Sequence, residues 1–314
     1  MSLKPVNTNL EAVTLADIEG HKAISNKALR RDLDNLNKFD PTTNANNFAG
    51  NPFLYHYQFK NLLRCRRQDG KTIHDIYADP EAWAKLLENT RVRNRGGRTG
   101  AGNIFECFRI NLGSVVMFKS TTAKYLYKKY NAKSVLDPTA GWGGRMLGAW
   151  SLGINYVGCD TNVNMKPAYD DMISFLGTDA QTFGNGLFVE DNPAQLRMIW
   201  DSCLDVDFST IDYDFVLTSP PYVNLEVYEH MPEWAKDEDF YTNFFIPLWT
   251  KCCAHIKKGG HVAFNISPKM YEDALKHGLT PCDEEEDLLQ QMGQKTASLK
   301  KGKKKQDKIY VWRC

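Results

Sequence analysis

The stretch SVLDPTAGWGGRMLGAW, residues 134–150, runs from a short apolar strand through a glycine-rich turn into a helix. Gly141, Gly143 and Gly144 fall where the backbone must turn tightly or lie against a ligand with no Cβ in the way. Strands and helices alternate around this turn. KSVLD (133–137), NYVGCD (155–160), GLFVED (186–191), DFVLTS (214–219) and HVAFNIS (261–267) read as strands. Helices are expected over 120–130, 144–152 and 165–176, from about Pro193 to Cys203, and over roughly 237–257. That alternation predicts an α/β fold, a doubly wound and mostly parallel sheet, with the terminal KIYVWRC as an antiparallel edge strand. Such sheets bind ligands at the carboxyl ends of their strands, beside the point where strand order reverses.

Residues 1–114 read differently. SNKALRRDLDNLNKF is helical, and in DPEAWAKLLENT Asp79 is placed to cap a helix whose first residue is Pro80. This part is expected to be a mainly helical segment and a possible substrate-recognition region. Residues 115–314 form the sheet domain.

Two cofactors compete for the glycine turn. A dinucleotide loop wants G-x-G-x-x-G, but counting from Gly141 the third glycine position is Met146. S-adenosylmethionine needs no phosphate cradle. Its ammonium and ribose hydroxyls want carboxylates, and three successive expected strands end in acid. Asp137 is placed for the amino-acid end, Asp160 for the ribose hydroxyls and Asp191 for the adenine amino group. Each aspartate alone also fits a turn or helix-cap role. The series together with the glycine turn points to the cofactor.

The fourth strand of a doubly wound sheet lies beside the first, which sets TSPPY (218–222) across the crevice from the glycine turn. A rigid turn out of a strand explains the prolines alone. Prolines also fix the backbone and carry no N–H, so Ser219, Pro220 and Pro221 form a wall of acceptors with few donors. The matching substrate is an exocyclic amine, which has two N–H bonds and a delocalised lone pair. Tyr222 supplies a face for stacking a base.

DPTAGWGG followed by TSPPY resembles the amino-methyltransferases of nucleic acids, most of all the bacterial and phage enzymes that methylate cytosine N4 or adenine N6 of DNA. The resemblance covers residues 115–314 and implies a class I methyltransferase fold with S-adenosylmethionine as cofactor. It implies cofactor contacts from Asp137, Pro138, Gly141, Gly143, Asp160 and Asp191, and from Phe118, since VMFKSTTAKYLY (116–127) is similar to the segment that closes over the methionine end. It implies Ser219, Pro220, Pro221 and Tyr222 as catalytic residues acting on a flipped-out base by direct in-line attack. A Ser in first place tilts the expectation to cytosine N4. The alternatives are an RNA base or protein glutamine-amide methyltransferase, in which Asn or Asp is usual in that place, and a non-catalytic nucleic-acid-binding protein on the same fold.

The expected polymer is DNA. Net charge over the 314 residues is only +1, so attraction to phosphate rests on local patches. These are Arg64, Arg66 and Arg67; the segment RVRNRGGRTGAGN with Arg93, Arg95 and Arg98; and a lysine run that includes Lys303 and Lys304. The eight cysteines are scattered with no metal-type spacing, which predicts reduced thiols and no metal. The chain has no apolar run of spanning length and no leader-type N-terminus, so a cytoplasmic protein without a membrane partner is expected.

Overall fold

The computed structural model describes residues 9–42, 47–67, 70–93, 98–112, 116–182, 194–222, 226–227, 234, 236–288 and 307–314. The chain begins with helices α1 (Leu15–Gly20), α2 (Asn26–Lys38) and α3 (Asn51–Leu63), a two-residue strand β1 (Arg66–Arg67), and helices α4 (Ile73–Ala78), α5 (Pro80–Arg93) and α6 (Gly100–Leu112). Asp79 caps α5 as expected, its Oδ1 accepting from the Ala82 N–H at 3.1 Å.

The alternating part follows with α7 (Ser120–Lys129), β2 (Ser134–Asp137), α8 (Gly144–Trp150), β3 (Asn155–Cys159), α9 (Lys166–Thr182), β4 (Leu196–Ile199), β5 (Phe215–Thr218) and β6 (Glu226–Val227). It continues through α10 (Asp237–Phe240), a π-helical turn (Tyr241–Phe245), α11 (Ile246–His255), β7 (His261–Ile266), α12 (Pro268–Lys276), β8 (Glu284–Asp287) and β9 (Lys308–Arg313).

Seven strands make one sheet in the order β4-β3-β2-β5-β7-β9-β8. The five from β4 to β7 are parallel, and β9 runs antiparallel to both β7 and β8. The tail is therefore antiparallel as expected, and the acidic β8 is added outside it. Strand order reverses between β2 and β5, which opens a crevice at their carboxyl ends.

One expected element is corrected. The helix from Pro193 to Cys203 is absent, and β4 occupies its middle. Leu196, Met198 and Trp200 pack on one side of the sheet and Ile199 on the other, a period of two. Leu and Met also favour helices, which hid that period. The expected strand GLFVED lies outside the described residues.

The sheet is covered on both faces. Val135, Phe215, Leu217, Ala263, Ile309 and Val311 pack against α2, α3, α7, α8 and α9. Their neighbours Leu136, Val216, Val262, Phe264, Tyr310 and Trp312 pack against the helices after β5. Burial on both sides explains why the strands read as continuous apolar runs.

The N-terminal helices share this core. Leu29, Leu33, Phe53, Leu54 and Leu62 belong to the same cluster as Val135 and Met146. Buried Lys124 on α7 donates to the carbonyls of Leu36 (2.8 Å) and Asn37 (2.9 Å) at the end of α2, and burial pushes its pKa down to about 8. Asp32 of α2 accepts from the N–H groups of Gly50 and Phe53, capping α3 from outside. β1 pairs antiparallel with β6, Arg66 opposite Val227, so the N-terminal part reaches the chain just after TSPPY.

Candidate active site

β2 delivers Asp137 to the crevice, and the chain then turns through Gly141 (φ +57°) and Gly143 (φ +86°) into α8. Asp137 is fully buried. Its Oδ2 accepts from Arg145 Nε at 2.7 Å and from the Tyr156 hydroxyl at 2.6 Å. Burial first, and Asp137 second, hold the Tyr156 hydroxyl far above its ordinary pKa, so it stays a donor. Arg145 also donates to the Thr139 carbonyl, and its guanidinium lies 5.3 Å from the Phe118 ring. One oxygen of Asp137 is therefore committed to the protein. The other, Oδ1, is buried without a hydrogen-bond partner among the described residues.

Asp160 follows β3 and faces the same turn. Its Oδ2 accepts from the Gly141 N–H at 2.8 Å and its Oδ1 from the Asn162 N–H at 2.9 Å. Burial pushes its carboxyl up to about 6 against those two hydrogen bonds. The Tyr169 hydroxyl donates to the Gly141 carbonyl at 2.9 Å and pins the turn from the other side. Asp160 thus fills the turn role and stands beside the glycines at once.

Asp191 lies outside the described residues. The third parallel strand is β4, and Trp200 and exposed Asp201 stand at its carboxyl end. The signal that locates them is the alternation of Leu196, Met198 and Trp200.

β5 ends at Thr218, opposite the glycine turn across β2. The Thr139 hydroxyl donates to the Ser219 carbonyl at 3.1 Å, and the Thr139 and Thr218 hydroxyl oxygens are 2.6 Å apart. DPTAG and TSPPY are thereby hydrogen-bonded to each other. Ser219, Pro221 and Tyr222 are half-buried and Pro220 is buried. Burial raises the Asp307 carboxyl, and the Tyr222 hydroxyl that bonds to it pulls the other way. From β7, the Asn265 side-chain amide donates to Ser219 Oγ at 3.1 Å. Thr139, Arg145 and Asn265 are site residues that sequence reasoning missed. Arg145 carried a signal, a cation directly after DPTAGWGG in the first turn of the helix.

Arg93 and Arg98 line a cavity of about 190 Å³ with Thr90, Asn103 and Glu106, and Arg98 stands 3.6 Å from Glu106. Arg95, Lys303 and Lys304 lie outside the described residues.

Strand order, parallel core and antiparallel closing strand are those of the class I, S-adenosylmethionine-dependent methyltransferase fold. No protein-family profile and no curated relative matches the chain. Solved structures do. An rRNA methylase from Streptococcus thermophilus is 12% identical, over 63% of this chain and 96% of that one, with a TM-score of 0.38. An RNA methyltransferase from Salinibacter ruber, in complex with S-adenosylhomocysteine, is 13% identical over 63% of this chain and 93% of that one, TM-score 0.35. A T. thermophilus 16S rRNA methyltransferase, in complex with S-adenosylmethionine and guanosine, is 15% identical over 63% of this chain and 43% of that one, TM-score 0.36. Two of the three carry the cofactor read from the glycine turn, or its product. The expected DNA amino-methyltransferase, and DNA as its partner, are corrected by these matches: all three act on RNA.

Proposed function

We propose that the chain is an S-adenosylmethionine-dependent methyltransferase that methylates the exocyclic amino group of a base in RNA. The observation that carries this reading is the direct hydrogen bonding between the glycine turn and the acceptor wall, from Thr139 to Ser219. The turn fits the cofactor. A Cβ built on Gly141 meets nothing nearer than 3.9 Å, so this face of the loop is open, and Asp137 Oδ1 is a buried acceptor without a partner.

When bound, the cofactor would supply an electrophilic methyl group on a sulfur that keeps the bonding pair, and the proton displaced from the methylated amine would pass to solvent. Asp137 Oδ1 would hold the ammonium end and Asp160 the ribose hydroxyls. Ser219 would accept one amine hydrogen beside the rigid Pro220–Pro221 turn, and Tyr222 would stack the base. A serine hydroxyl is too weak a base to deprotonate a neutral amine, so these residues work by position and by dipole. RNA suits this arrangement because unpaired loops already present splayed bases for stacking. Among the described residues between β5 and β7, 236–260 are mostly the helical run from α10 to α11, packed on the core, and offer no separate region in which a double-stranded site could be read. Arg93 and Arg98 contact phosphates in this reading.

The test is incubation of the chain with tritiated cofactor and, separately, RNA, DNA and protein extracts, followed by digestion to nucleosides. The expected product is a base methylated on its amino group in the RNA arm alone, lost on Ser219→Ala. Label in protein, or none in RNA, overturns the assignment. In the same RNA mixture, Arg93→Ala with Arg98→Ala is expected to flatten the salt dependence of binding by about one to two phosphate contacts. An unchanged slope removes this pair from the RNA surface.

Asp160 adds a pH dependence. Its folded-state pKa is about 6, above the ordinary aspartate value, so it takes up a proton as pH falls through that point. Ribose hydroxyls donate to the carboxylate, not to the acid. Affinity for S-adenosylhomocysteine is therefore expected to be full about one pH unit above 6, to be near half at 6, and to fall by up to about tenfold per pH unit below it. Calorimetric titration checks this, and Asp160→Asn should bind weakly with a flat profile. A flat profile in the unaltered chain removes Asp160 from the cofactor site.

A further inference from the structure

Ser219 and Asn265 stand one step beyond the last ladder pair of β5 and β7, Thr218 with Phe264. Residues at equal register in a parallel pair send their side chains to the same face. Here β5 leaves the sheet, because Pro220 and Pro221 have no N–H for a ladder. β7 continues, with Asn265 opposite Ile309 of β9.

The amide of Asn265 is held by its own bond. Nδ2 donates to Ser219 Oγ at 3.1 Å, and Ser219 Oγ faces the Asn265 main-chain carbonyl at 3.5 Å. Asn265 is 6% exposed, and its Oδ1 has no hydrogen-bond partner among the described residues. Buried amide oxygens are normally satisfied, so one left without a donor beside Ser219 is an acceptor awaiting one. Ser219 by itself is a limited acceptor. One lone pair takes the Nδ2 hydrogen, which leaves a single lone pair for a substrate.

We propose, resting on the function above, that Asn265 is a catalytic residue whose Oδ1 accepts one hydrogen of the substrate amino group while Ser219 Oγ accepts the other. As the N–C bond forms, the nitrogen turns cationic and its hydrogens become stronger donors. Both acceptors therefore bind the transition state more tightly than the substrate. The proton leaves to solvent after methyl transfer, and neither residue has to take it.

The experiment measures methyl transfer from tritiated S-adenosylmethionine to mixed-sequence single-stranded RNA oligonucleotides, with S-adenosylhomocysteine affinity and thermal melting recorded alongside. Asn265→Ala and Asn265→Ser are expected to lower kcat by about 100-fold with cofactor affinity unchanged, as for loss of one preorganised transition-state contact. Ser219→Asn combined with Asn265→Ser should recover about tenfold over Asn265→Ser, because the carboxamide has moved and not vanished. Wild-type kcat in Asn265→Ala overturns the inference, and so does a loss matched by equal falls in melting temperature and cofactor affinity, which marks a structural role. Absence of transfer by the unaltered chain is a different result: it overturns the function reading, and this inference with it.

Discussion

Asp137→Ala is expected to destabilise the fold by about 3–5 kcal/mol, because it leaves a buried guanidinium without its carboxylate. Arg145 is 4% exposed and Asp137 is fully buried, so water does not replace the lost partner. The Tyr156 hydroxyl loses its acceptor in the same step. Replacing the pair together, Asp137→Ala with Arg145→Met, removes both charges and should restore more than half of the stability while cofactor affinity stays lost. Urea unfolding of the single and double variants checks the first part and calorimetry the second. A double variant no more stable than Asp137→Ala would show that the pair is not energetically coupled.

Gly144→Ala is expected to cost about 3 kcal/mol or more, and with it cofactor binding. A Cβ there would fall inside the contact radius of the Phe118 carbonyl oxygen, 3.0 Å from the Phe118 carbonyl carbon and 3.5 Å from Leu54 Cδ1. Backbone cannot step aside as a flexible side chain can. Either α8 or the 116–119 segment must move, and Arg145 and Phe118 would separate with it. Gly153→Ala is the control. That glycine has φ +66° and nothing within 4 Å of an added Cβ, so it tests backbone strain without a clash, expected at about 1 kcal/mol. Thermal melts that rank the two variants in the opposite order would refute the packing argument.

Much of this fold was legible because its strands are buried on both faces and are separated by long amphipathic crossings. Phe215 to Leu217 and Val262 to Phe264 can be little else. β4 was not legible, since Leu196, Arg197 and Met198 suit a helix as well as a strand and only the partner β3 decides between them. At the site, Asp137, the glycines and Ser219 to Tyr222 stood out by type and spacing. Asn265 did not: it is one polar residue in an apolar strand, and its meaning comes from register against β5. Thr139 is similar, an ordinary turn threonine until β5 is set beside it. Substrate identity was the least legible. An acceptor wall describes an amine, and the same amines occur in both nucleic acids.

The hydroxyl bridge from Thr139 to Thr218 and Ser219 bears on rate. In the proposed reaction it ties the loop that would hold the methyl donor to the wall that would hold the amine, with one contact of 2.6 Å and one of 3.1 Å. Two reactants held on separate mobile loops would have to find alignment at every turnover. Here the entropy of that alignment is already lost when the chain folds, and the bridge sets the effective concentration of amine at methyl, a quantity that reaches about 10⁵ M or more in well-oriented reactions.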